Sequence, residues 1–104
     1  MADELALSRL VDRIEELSHE IDKANTFAEE KGYNNVDDEL LAKTVKNGEA
    51  LVVLANALSS QVKSHGRYSF SKKRESYKSV KKAFHYSTIS MTFNANTYLA
   101  RKTK

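Results

Sequence analysis

The chain has no cysteine and no proline, and its 104 residues include only three glycines. Without cysteine there can be no disulfide framework, thiolate zinc site, iron-sulfur cluster or cysteine nucleophile. Without proline, and with so little glycine, the chain has few of the residues that interrupt helices, and helix is the expected state almost throughout. Long hydrophobic runs are also missing: no stretch approaches the roughly 18 consecutive apolar residues of a membrane span. The start of the chain carries Asp3 and Glu4 rather than a basic segment followed by an apolar one, so no secretory signal is read and a cytoplasmic location is expected.

Acidic residues are scarce in one part only. Met1 to Gly66 holds seven Lys and Arg against thirteen Asp and Glu, whereas Arg67 to Lys104 holds ten Lys and Arg against the single acid Glu75. A net charge of +3 therefore conceals an acidic region (1–66) and a basic one (67–104), a division that points to an anionic partner or to internal electrostatic docking. At this length one modest hydrophobic core, and hence one helical domain over 1–104, is expected.

Periodicity divides the chain into three helices. Leu7, Leu10, Ile14, Leu17, Ile21, Ala24 and Ala28 alternate at spacings of three and four, a heptad seam that predicts helix 1 over about 2–31, stopped at Gly32. Asn35 or Asp37 caps helix 2, expected over about 36–64, with Asp37, Asp38 and Glu39 at the positive end of its dipole. Its seam runs Leu41, Val45, Gly48, Val52, Ala55, Ser59 and Val62, widened by Leu51, Leu54 and Leu58. Asn47-Gly48 is either a weak point within it or a break. Helix 3, over about 71–100 and capped by Ser69 or Ser71, reads as a core stripe of Tyr77, Val80, Phe84, Thr88, Met91, Ala95, Tyr98 and Leu99.

Within helix 3, residues 87–94 also alternate as a half-buried strand would, though no other segment offers a partner strand. Tyr86, Ile89 and Phe93 fall on a second apolar sector, so the helix reads as two-sided. One bundle covers one side, and Ile89 and Phe93 are therefore expected at an interface between copies. The fold class is all-α: an up-down-up three-helix bundle of long heptad-patterned helices, oligomeric through helix 3.

The sequence offers little for catalysis. His19, His65 and His85 are too far apart for metal ligation, and the adjacent pairs Glu15-Glu16, Glu29-Glu30 and Asp37-Asp38 splay in different directions on a helix. No phosphate loop, nucleophile elbow or HExxH occurs, so neither an enzyme nor a cofactor, metal or small-molecule substrate is expected. The main signal is basic. Arg67, Lys72, Lys73, Arg74, Lys78, Lys81 and Lys82, with Tyr86 and the interleaved Tyr68, Phe70 and Tyr77, combine the cations that attract phosphate with rings that stack on bases. The alternative for these lysines is a solvated face balancing acidic helices 1 and 2. The leading expectation is a small nucleic-acid-binding accessory protein. A protein-binding adaptor or inhibitor of the phage or plasmid accessory type, acting through helix 3 or acidic helix 1, and a self-assembling structural subunit stand as alternatives.

Overall fold

In the computed structural model, which describes residues 2–65 and 69–102, three α-helices pack against one another: α1 (Ala2–Lys31), α2 (Asp38–Ser64) and α3 (Phe70–Lys102). Together they form an elongated all-α bundle of 56 × 18 × 16 Å. No strand occurs among the described residues. Residues 87–94 lie within α3, and Asn47-Gly48 lies within an uninterrupted α2.

Local chemistry sets the helix ends. The α1 helix gives way at Gly32, whose φ of 97° suits a residue without a Cβ, and a 3-10 turn over Tyr33–Asn35 follows. Asp37 caps α2 by accepting the Leu40 N–H at 2.7 Å, with Asp38 and Glu39 in the first turn. Ser69 caps α3: its hydroxyl accepts from Lys72 N–H at 3.3 Å and its carbonyl accepts from Lys73 N–H at 2.9 Å. Cross-helix contacts fix the directions. Lys43 of α2 pairs with Glu20 of α1, Ser90 of α3 donates to the carbonyl of Thr44, and Arg101 pairs with Asp38, so α2 runs antiparallel to both neighbours.

Of the expected α1 seam, Leu7, Ile14, Leu17, Ile21, Ala24 and Ala28 are in the core and Leu10 is half-buried against it. From α2 come Thr44, Gly48, Leu51, Ala55, Leu58 and Val62, whereas Val52 of the expected seam is exposed. Helix α3 departs from expectation most. Its buried stripe is Ser76, Val80, Ala83, Ser87, Ser90, Phe93 and Thr97, while Phe84, Thr88, Met91, Ala95, Tyr98 and Leu99 of the expected stripe are exposed. Close packing against α2 explains the exchange: a Cβ on Gly48 would stand 2.5 Å from Ser90 Cβ. Only small side chains fit between helices this close, and the bulkier residues are left on the flank.

Phe93 is the exception and overturns an expectation. The sequence pattern predicts an outer interface for it, yet it is fully buried in a separate cluster with Ala24, Ala28 and Val36, its ring edge-on to Tyr33 at 5.9 Å between centroids. The two alanines leave beneath the α1–α2 turn a space that one large ring fills. Ile89 is half-buried and packs against the main core. Neither residue forms an outer face.

Candidate nucleic-acid interface

The chemistry of the site starts from the first turns of α3. The positive end of a helix macrodipole disfavours cations by about 0.3–1 kcal/mol each at low ionic strength. Even so, Lys72, Lys73 and Arg74 follow the Ser69 cap after Phe70 and Ser71, and no acid occupies the first turn. Helix dipole and side-chain charge therefore add to one positive potential, which an anion would relieve.

Phe70, Lys73, Arg74, Tyr77, Lys78 and Lys81 line one surface groove of about 490 Å3. The order along the helix explains it: residues 70, 74, 77, 81 and 84 recur at spacings of four and three and share one face. Cations and rings thus alternate along a line. Phe70 is 83% exposed at its upper end, and Tyr77 packs one side against the core while its remaining surface lines the groove. Ammonium and guanidinium groups are able to contact phosphates, and exposed ring faces are able to stack on bases. Among the described residues, none of Lys72, Lys73, Arg74, Lys78 and Lys81 is within ion-pair distance of an acid.

Lys82 belongs to a different environment. Its ammonium meets Glu15 of α1 at 2.6 Å and lies 6.0 Å from the centre of the Tyr86 ring. It docks α3 onto acidic α1, the role that the solvated-face alternative assigns to the whole basic run. Tyr86 is itself half-buried against the core and is poorly placed to stack on a base. Lys72 is exposed beside the groove without lining it, and Arg67 and Tyr68 lie outside the described residues. The basic residues named from sequence are therefore divided: Lys73, Arg74, Lys78 and Lys81 converge, and Lys82 does not. Tyr77 stands both on the core stripe expected from sequence and among the interleaved rings, and the spacing of seven between Phe70, Tyr77 and Phe84 is the signal that places it on the flank.

His19 and His85 are exposed and His65 half-buried, and no group of three potential metal ligands occurs among the described residues. No helix of the described residues is long and apolar enough to cross a membrane. Comparison with protein-family models, curated proteins and solved structures finds no match to this chain.

Proposed function

We propose that this chain is a small helical accessory protein that binds nucleic acid through the first half of α3. The observation that supports this most is the convergence of Lys73, Arg74, Lys78 and Lys81 with Phe70 and Tyr77 in one groove. Cations that served only to balance acidic α1 and α2 would face those helices, as Lys82 does toward Glu15. Lys78 and Lys81 face solvent beside aromatic surface instead, where they carry repulsion within the helix and receive no compensating acid from the fold. Polyanionic phosphate supplies that compensation and releases its condensed counterions on binding.

Fluorescence anisotropy of labelled duplex and single strands, titrated between about 50 and 200 mM salt, tests the reading. Log K is expected to fall with log[salt] at a slope of about −0.9 per neutralised phosphate on duplex and about −0.7 on single strands. Replacing Lys78 and Lys81 together by Gln is expected to reduce the slope by about two units without loss of helicity. Lys82→Gln, which removes a cation already paired with Glu15, is expected to change it by much less. No binding at low salt, or an effect of Lys82→Gln equal to that of the pair, would remove the proposal.

A further inference from the structure

The groove is the upper part of a longer feature. Phe70, Tyr77, Phe84, Met91 and Tyr98 occupy every seventh position of α3 and form one ridge about 100° round the helix from its buried stripe. Its lower members are well exposed: Phe84 by 40%, Met91 by 66% and Tyr98 by 61%. Basic residues flank the ridge above Ala83. From Ala83 to Ala100 the sequence contains no Asp, Glu, Lys or Arg. Along the segment itself nucleic acid meets no lysine or arginine and a charged partner helix no counter-charge; the charges that border it are Lys102, whose ammonium lies 5.7 Å from the centre of the Tyr98 ring, and Glu49 of α2 beside Met91.

We propose that this half of α3 is the contact surface of a homodimer in which α3 of two copies crosses antiparallel at Met91. The charge pattern selects both the occupant and its direction. The charge-free segment spans about 27 Å of helix, and its midpoint falls between Met91 and Thr92. Only another charge-free helix face can lie along it without burying an unpaired charge, and a second copy supplies one of equal length. A parallel pairing would run the two Lys72–Lys82 segments side by side. The antiparallel crossing sends them to opposite ends, where residues 70–79 of each copy extend beyond the last described turn of the other α3.

The same crossing pairs the ridge residues chemically. With Met91 on the two-fold axis, Phe84 of each copy lies opposite Tyr98 of the other, giving two aromatic pairs either side of the methionines. The surface beside Met91 is hollow: Val45, Gly48, Val52, Ser87 and Ser90, together with the exposed Glu49 and Asn94, border a groove of about 290 Å3 between α2 and α3, so that one carboxylate of α2 adjoins the contact. It is a mostly apolar hole of the kind into which a facing helix inserts a knob, and Met91 of the second copy is the nearest candidate. Exposed Val52 extends the apolar rim onto α2.

Sedimentation velocity on the full chain from roughly 1 to 100 µM, at low and high salt, reads the association directly. A monomer–dimer equilibrium is expected. It should tighten as salt rises, because Lys81 of one copy approaches Lys102 of the other at the edges of the contact, beside an Arg101 already paired with Asp38. This is opposite in sign to nucleic-acid binding, so the two proposals stand or fall separately. Met91→Lys puts two like charges on the axis and is expected to weaken dimerisation at least about tenfold while leaving the circular dichroism spectrum unchanged. Met91→Cys adds the chain's first thiol at a position that faces itself, and under mild oxidation it should yield a disulfide-linked dimer. Phe84→Cys should not, because its opposite number is Tyr98. A wild type that remains monomeric throughout, or a Phe84→Cys variant that links as readily as Met91→Cys, would overturn the proposal. The cysteine variants remain decisive if Met91→Lys does not fold.

Discussion

In α1 most large apolar side chains point inward, Leu5 and Phe27 excepted, whereas in α3 Phe70, Phe84, Met91, Tyr98 and Leu99 are exposed and the buried stripe consists largely of serine, alanine and threonine. Both helices carry apolar residues at helical spacing, yet only α1 is clearly amphipathic, and only there does side-chain size indicate the inner face. The difference arises in their neighbours. Gly48 on α2 lets α3 approach so closely that Ser90 hydrogen-bonds the Thr44 carbonyl at 2.8 Å. Close approach replaces side-chain volume with backbone proximity, and buried hydroxyls are admitted where they find an acceptor, as Thr97 does at the Phe93 carbonyl. Bulk is then excluded from the α2–α3 seam and retained where a space remains, which is the position of Phe93 under the α1–α2 turn.

Phe93 against Phe84 tests this contrast most severely, since the two are the same residue type on one helix. Phe93→Ala removes a fully buried ring and is expected to destabilise the protein by about 3–5 kcal/mol in urea unfolding, measured on the monomer. Phe84→Ala is expected to stay within about 0.5 kcal/mol under the same conditions. Similar losses at the two positions would abolish the distinction between inner and outer faces.

The close α2–α3 approach is tested at Gly48. Alanine there gains about 1 kcal/mol of intrinsic helix propensity, but its Cβ collides with Ser90 Cβ, which is fixed to its own helix and cannot rotate away. Overpacking of this kind costs typically 1–3 kcal/mol, so a net loss of about 1–2 kcal/mol is expected. In a Ser90→Gly background the collision is gone and the substitution should no longer destabilise. A double-mutant cycle that shows simple additivity would mean that the helices are not held at this distance.

The smallest effect sharpens the account of buried hydroxyls. Ser18 of α1 is buried, and its hydroxyl has no hydrogen-bond partner among the described residues. Unlike Ser90 it brings the cost of a polar group without a bond, so Ser18→Ala is expected to be neutral or stabilising by up to about 1 kcal/mol. Ser90→Ala, which removes the bond to Thr44, should destabilise by a similar amount, and thermal melts of the two variants should shift in opposite directions.

The sequence alone determined that the protein is helical, because three segments with apolar residues at spacings of three and four, free of proline, leave the backbone no competing arrangement of comparable quality. It also determined the inner face of α1, where the residues at spacings of three and four and the charged residues occupy separate sides, and the separation of a basic region from an acidic one. Two decisions belonged to the tertiary structure. The inner face of α3 depended on how near α2 stands, a distance set by a single glycine contact that no periodicity within α3 encodes. The division of the basic run, with Lys82 turned to Glu15 and Lys73, Arg74, Lys78 and Lys81 gathered around Phe70 and Tyr77, depended on which flank of α3 the acidic helix covers. Charge is counted along a chain, but whether a cation meets an acid, a ring or solvent is decided by its direction from the helix axis and by what packs there.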